Sequence, residues 1–245
     1  MPKKIWEQFR SCLKGFRGAF DSRLLAPALK KLVGWWSRPG GVLAYSFLGL
    51  MNLGHKSFLE RTLRAAEIRP GGTVLDIGCG GGYALSRLAE KAEKVYGLDH
   101  SASSVGKSIL LNQRKVESGQ MEVRLGSVTE LPFADGSFDL ITAFESIYFW
   151  PEAAACLAGI YNKLKPEGFF LVACTSSAPE EGEKHFFRDA DPENFHVFGR
   201  AELEEMLLSA GFSSIRSLCP EKPSWLCLMA RKQGESRQDE PADGV

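Results

Sequence analysis

Asp76 and Asp99 each close a short apolar run, Val74-Leu75 before the first and Val95-Tyr96-Gly97-Leu98 before the second. After Asp76 come Ile77, Gly78, Cys79, Gly80, Gly81, Gly82 and Tyr83, where a helical pattern begins. An apolar run, a glycine cluster and a helix start read as a buried strand, a tight turn and the helix that follows it. Glycines there let the backbone come close to a ligand. A dinucleotide fingerprint would need glycine at position 83, which is Tyr83, and Asp76 would repel a pyrophosphate. An acid at that position suits a ligand bearing an ammonium group. Asp99, at the end of the neighbouring strand, suits a pair of ribose hydroxyls.

On these residues the chain resembles the class I S-adenosylmethionine-dependent methyltransferases, in the small-molecule branch called type 11 or UbiE-like. The likeness spans roughly residues 67–231. It extends to the turn Phe133-Ala134-Asp135-Gly136-Ser137-Phe138-Asp139, to Leu164-Lys165-Pro166-Glu167-Gly168 and to Ala210-Gly211-Phe212. The resemblance implies S-adenosyl-L-methionine as cofactor and S-adenosyl-L-homocysteine as product. It implies a cofactor site built from Asp76, Gly78, Cys79, Gly80, Asp99, His100, Ser127, Val128 and Glu145. The family often has an acid where Ser127 stands, so adenine recognition is expected to fall to the Ser127 hydroxyl or backbone and to Val128 packing.

Elements that alternate from residue 73 onward must carry these groups. Strands are expected at 73–77, 94–98, 121–125, 138–143 and 168–174, with helices at 82–91, 102–118, 151–164 and 200–210. Segments 215–218 and 225–230 form a closing pair. Such alternation makes an α/β fold, a mostly parallel sheet with helices on both faces. The resemblance implies a Rossmann-like methyltransferase fold with seven strands in the order 3-2-1-4-5-7-6, the last antiparallel. Ligands of open α/β sheets bind at the carboxyl ends of the strands, where Asp76, Asp99, Ser127 and Glu145 all fall.

Residues 1–66 read as an N-terminal helical extension or lid, and 232–245 as a disordered tail. Positions 42–53 are apolar on nearly every side, and Asn52, Gly54 and His55 then lead into an Arg-rich helix ending near Ala66. In related small methyltransferases such a segment closes over the cofactor, which makes Tyr45, Asn52 and His55 candidate pocket residues. The segment from Glu145 to Pro151 replaces the N/D-P-P-Y stretch of enzymes that methylate nucleobase amines, so nucleic acid is not the expected substrate. Tyr148 and Trp150 are candidate pocket walls or plain packing residues. His196 lies in the long stretch 175–199, the expected second half of the pocket. Glu145 and His55 are the leading candidates for catalytic acid–base work, with Tyr45, His185 and His196 also able to serve.

Composition bounds the rest. The 245 residues carry no net charge, which disfavours a dedicated nucleic-acid binder. Six cysteines lack metal-ligand spacing and suit a reducing cytoplasm. Residues 1–40 hold nine Lys or Arg against two acids, with apolar positions at helical spacing. Residues 1–20 therefore either cover the domain or touch an anionic membrane surface. The expected activity is methyl transfer to a small molecule. The alternatives are a non-catalytic module holding S-adenosylmethionine or its product, and a membrane-associated methyltransferase of a lipophilic substrate.

Overall fold

The computed structural model describes residues 44–68, 71–175, 177, 195–220 and 225–234, with side chains from residue 55 onward. The basic stretch 1–20, His185 and the tail beyond 234 lie outside the described residues. The elements are α1 (Ala44–Ala65), β1 (Thr73–Ile77), α2 (Tyr83–Leu88), β2 (Lys94–Asp99), α3 (Ala102–Leu111), α4 (Gln113–Glu117), β3 (Met121–Leu125), β4 (Phe138–Phe144), α5 (Ala153–Lys163), β5 (Leu164–Cys174), α6 (Arg200–Ser209), β6 (Phe212–Ser217) and β7 (Leu226–Lys232). A single 3-10 turn, Ile147–Phe149, follows β4.

The sheet has seven strands in the order β3-β2-β1-β4-β5-β7-β6. β1 pairs in parallel with β2 on one side and β4 on the other, so the strand order reverses between β1 and β4. That reversal leaves a crevice beyond the carboxyl ends of these strands. β7 runs antiparallel between β5 and β6. The central strands are buried on both faces, which is why β4 and β5 read as near-continuous apolar runs. One core cluster joins Leu75, Ile141, Phe170 and Leu228 to Leu157, Ile160 and Leu203 of α5 and α6. Another joins Val74, Val95 and Leu140 to Leu85 and Leu88 of α2.

Element boundaries depart from the sequence expectation where side chains intervene. The expected helix 102–118 breaks at Asn112, whose amide donates to Gly82 O and to Ser108 O, both at 3.0 Å. Its backbone turns out of helical geometry to do so, and α4 starts again after it. β5 begins at Leu164 rather than 168, because Leu164 is already extended and pairs with Phe138. β6 begins at Phe212 rather than 215, with an irregularity in its pairing between Ser213 and Arg216.

α1 is one continuous helix of 22 residues, with Gly54 inside it. Its carboxyl half is seated on the sheet. Phe58 is buried with Ala173, Cys219 and Cys227, and meets Trp225 edge-on at 4.8 Å between ring centroids. Thr62 Oγ1 lies 3.8 Å from Cys227 Sγ. Among the described residues no helix is long and apolar enough to cross a membrane.

Candidate active site

The loop after β1 is shaped by its neighbours. Gly78 and Cys79 donate their N–H groups to Leu98 O at 2.8 and 3.2 Å, and Gly80 N–H donates to Asp99 Oδ2 at 2.9 Å. The loop is thereby stitched along the end of β2. Gly78 has a φ of 74°, and a Cβ there would lie 2.4 Å from Ser146 Cβ. Gly82 has a φ of 81°, and a Cβ there would meet Ser108 Oγ at 2.6 Å and Ser108 Cα at 2.8 Å. Only glycine meets both demands, the left-handed backbone and the lack of room. From behind, Ser108 Oγ donates to Gly80 O at 3.0 Å and the Asn112 amide holds Gly82 O.

Asp76 is 1% exposed and stands opposite Thr142 in the β1–β4 register. Thr142 Oγ1 donates to Asp76 Oδ1 at 2.6 Å. Burial, reinforced by the charge of Asp99, pushes the Asp76 carboxyl up to about 7. A buried acid that ionises so reluctantly suits an incoming cation, whose charge would reverse that penalty. Asp99 is raised by burial too, with the backbone N–H groups of Ser101 and Gly80 opposing the shift. Ser101 N–H donates to its Oδ1 at 2.9 Å. Each Asp99 oxygen so bonded has a second lone pair with which to accept from a ligand hydroxyl.

Glu145 follows β4 in a left-handed conformation, φ 54°, uncommon for a residue other than glycine. Its carboxylate is held by the residue just past β5: Thr175 N–H donates to Oε1, and Thr175 Oγ1 donates to Oε2 at 3.1 Å. Burial raises the Glu145 carboxyl, while His55 on α1, Thr175 and Tyr148 draw it down.

His55, Phe58 and Leu59 of α1, Asp76, the loop Gly78–Gly81, Tyr83, Ala84, Phe144 and Glu145 surround one crevice of about 620 Å³, part of it open to solvent. α1 forms its roof, clamped to α2 by Glu60. The Tyr83 hydroxyl donates to Glu60 Oε1 at 2.8 Å, and Arg87 Nε lies 2.8 Å from the same oxygen.

Of the other candidate residues, Cys79 belongs to this crevice and the remaining described ones sit elsewhere. Cys79 lines the crevice, but its buried thiol lies 3.7 Å from Ser108 Oγ and burial pushes it far up, so it is chemically quiet. His100 is partly exposed, 3.8 Å from Asp99 Oδ1. Ser127 Oγ lies 2.8 Å from Thr129 Oγ1 and accepts from Thr129 N–H at 3.2 Å, while Val128 packs on the core. Tyr148 is 5% exposed, stacked on Phe195 at 5.0 Å, behind Glu145 rather than around the crevice. Trp150 packs 6.4 Å from Phe170. His196 is exposed, its Nε2 2.8 Å from Glu202 Oε1, and its N–H donates to Tyr148 O at 2.9 Å. Tyr45 and Asn52 belong to α1, but their side chains lie outside the described residues.

Sequence reasoning passed over Thr142, Ser108, Asn112 and Thr175. Thr142 carried a signal, a lone hydroxyl between Ile141 and Ala143 in an apolar strand. Ser108 and Asn112 carried one too, polar residues four apart flanking Ile109-Leu110-Leu111.

Comparison with known proteins agrees with this geometry. Residues 75–172 match the family model described as "Methyltransferase domain". The chain is 32% identical over 151 residues to a protein of Mycolicibacterium smegmatis named as a probable S-adenosylmethionine-dependent methyltransferase, covering 61% of this chain and 55% of that one. It is 28% identical over 188 residues to a demethylmenaquinone methyltransferase of Oceanobacillus iheyensis, covering 66% of this chain and 78% of that one. The fold superposes with a TM-score of 0.62 on phosphoethanolamine N-methyltransferase 2 of Haemonchus contortus, solved with phosphomonomethylethanolamine and S-adenosylhomocysteine. That likeness has 17% identity and covers 73% of this chain and 52% of the other. The chain spans little more than half the length of some curated relatives it matches. Over residues 75–172 the chain is thus similar to methyltransferase domains, and its relatives by sequence include proteins named as S-adenosylmethionine-dependent methyltransferases.

Proposed function

We propose that this protein transfers a methyl group from S-adenosylmethionine to a small, partly apolar acceptor seated under α1. The observation that carries the reading is the placement of two buried carboxylates on adjacent strands at the sheet's reversal point, one lining the crevice and one pinning its glycine loop. Asp76 would face the cofactor's ammonium group, Asp99 the ribose hydroxyls, and Gly78 and Gly80 would admit its backbone-hugging middle. When bound, the cofactor supplies the electrophilic methyl group. The protein's own residues supply in-line alignment and a dry site. Phe58, Leu59 and Phe144 provide apolar wall, and the name of the demethylmenaquinone relative supports an acceptor with apolar bulk.

In this reading residues 1–66 form the lid and acceptor pocket, 67–231 the catalytic domain, and the reaction takes place in the cytoplasm. The free, buried thiols of Cys79, Cys156, Cys174, Cys219 and Cys227 suit that reducing compartment. Titration calorimetry with S-adenosylmethionine, with a nicotinamide dinucleotide as control, tests the site. Detection of S-adenosylhomocysteine after addition of a metabolite extract tests turnover. Binding of the dinucleotide instead would overturn the assignment, and tight cofactor binding without product across extracts would make this a non-catalytic binding module.

The basic bias of residues 1–40 favours a second, compatible feature, contact of residues 1–20 with an anionic membrane surface. Salt-sensitive flotation with anionic vesicles, lost on removal of residues 1–20, is the expected result. Equal flotation of the truncated chain would reject it.

A further inference from the structure

We propose that the outer edge of β3 is a dimer interface, at which two copies of this chain pair antiparallel about a two-fold axis at Val123 and join their sheets. Among the described residues β3 pairs with β2 alone, at the end of the sheet. It lies two strands from the reversal between β1 and β4, so the pairing stands whether or not the crevice holds a cofactor.

Apolar side chains are left uncovered on this side of the sheet. Among the described residues the exposed large hydrophobics are Ile109, Leu110, Leu111, Leu125 and Leu208, and all but Leu208 belong to α3 and β3. Leu110 and Leu125 are each 60% exposed. α3 packs on β2 and β3. Met121 and Val123 share a core cluster with Leu85 of α2 and Val116 of α4, and Leu125 alternates onto that same face. Apolar exposure gathered on one side of a domain marks a contact surface, where single scattered residues would not. The two edges of the sheet also differ. The pairing of β6 is broken between Ser213 and Arg216, with Ser214 at a φ of 49°, a distortion that blunts an edge. β3 keeps an unbroken register with β2 from Met121 to Leu125.

The strand is complementary to a second copy of itself. Val95 N–H donates to Gln120 O at 2.9 Å, and Gly126 N–H donates to Asp99 O at 3.0 Å. Carried through the parallel register, this alternation turns the backbone groups of Glu122 and Arg124 toward β2 and those of Met121, Val123 and Leu125 outward. Antiparallel pairing about Val123 then hydrogen-bonds Val123 to Val123 of the second copy, and Met121 to Leu125 of the second copy. Between these, Glu122 stands opposite Arg124 of the second copy, twice over by symmetry. Those are the non-hydrogen-bonded positions, where facing side chains come closest. Charge on an edge strand ordinarily repels other strands, but here the order of charge reads the same from either copy. Within one chain Arg124 Nε already lies 2.6 Å from Glu122 Oε1, both side chains partly exposed, so pairing would extend an ion pair into a four-membered network. α3 starts beside the carboxyl end of β2, and the chain re-enters the sheet at Met121, so α3 descends toward the amino end of β3. Ile109, Leu110 and Leu111 therefore stand toward the end of β3 that meets Leu125 of the second copy. The exposed apolar groups, at opposite ends of one edge, come together across the axis.

Sedimentation equilibrium of the full chain tests this. Wild type should sediment at twice the 27.0 kDa of one chain. A monomer at about 100 µM would overturn the proposal, whether or not the chain then captures a different protein at this edge. Glu122→Arg and Arg124→Glu each set like charges across both symmetric pairs, and each alone should weaken association by about tenfold or more. Mixed together, the two variants put opposite charges back at both positions, so the mixture should dimerise as wild type does. Single variants that stay dimeric would show that another face makes the contact, and a mixture that stays monomeric would rule out this antiparallel register. Each variant is compared with wild type by circular dichroism. Leu125 is exposed, so Leu125→Lys spares the fold and leaves both ion pairs in place. It too should weaken association by about tenfold or more, and unaltered association would overturn the seating of Leu125 on the second copy.

Discussion

The Asp99 carboxylate accepts the N–H of Gly80 at 2.9 Å, so the acid that ends β2 and the glycine loop that follows β1 form one mechanical unit. Removing the carboxylate should therefore weaken cofactor binding twice over, by losing a ribose partner and by releasing the loop. Asp99→Ala is expected to raise the dissociation constant at least tenfold, about 1.4 kcal/mol. Calorimetry measures it, and a change under twofold would contradict the assignment.

Asp76 couples binding to pH. Its carboxyl is raised from 3.8 to about 7 in the folded, cofactor-free chain. Between those values the folded state holds a proton that the unfolded state has lost, so this group's contribution to stability falls as pH rises through that window. Asp76→Asn should therefore show a smaller loss of Tm between pH 5 and 8 than the wild type. The same variant should bind S-adenosylmethionine at least tenfold more weakly. Scanning calorimetry at several pH values checks the first outcome, and an identical pH dependence would sink it.

Cofactor binding should also release a proton below pH 7, because an ammonium beside Asp76 favours its ionised form. Titrations in buffers of different ionisation enthalpy read this directly. Equal apparent enthalpies in all buffers at pH 6 would show that Asp76 stays as it was.

Gly82→Ala tests the loop's fit against α3. The added methyl would press on Ser108 at a backbone angle that L-residues avoid. A loss of about 1–3 kcal/mol in unfolding free energy is expected. A denaturant midpoint equal to wild type would mean that the loop and α3 are not in this contact.

Tyr83→Phe should loosen the roof. The Tyr83 hydroxyl is pushed up to about 12, by burial first and then by Glu60, so it stays a donor at neutral pH. Losing its bond to Glu60 should cost about 1 kcal/mol and speed hydrogen exchange across residues 55–65. Unchanged exchange there would argue that Arg87 alone secures α1.

The first two strands and the acids that close them were legible because they rest on local pattern, whereas the strand order followed from the family resemblance. Apolar runs ending in Asp76 and Asp99 mark the strands, and the glycine cluster marks the turn. The helix break at Asn112 was not legible, since it depends on an amide reaching a loop thirty positions back in the chain. Nor was the setting of Glu145 visible, because Thr175 meets it only once β4 and β5 are paired. The sequence also gave Tyr148 and Trp150 a choice between pocket wall and packing residue. Burial places Tyr148 behind the carboxylate, and Trp150 beside the ring of Phe170.

Among the described residues the roof helix lines the crevice with His55, Phe58 and Leu59, and the rest of that lining comes from the sheet's rim and the turns beside it. On the proposed reading, that helix would stand between the cofactor seat and the molecule to be modified. Drift at those positions can retune acceptor choice without touching the catalytic frame, which gives natural variation an inexpensive route to new products.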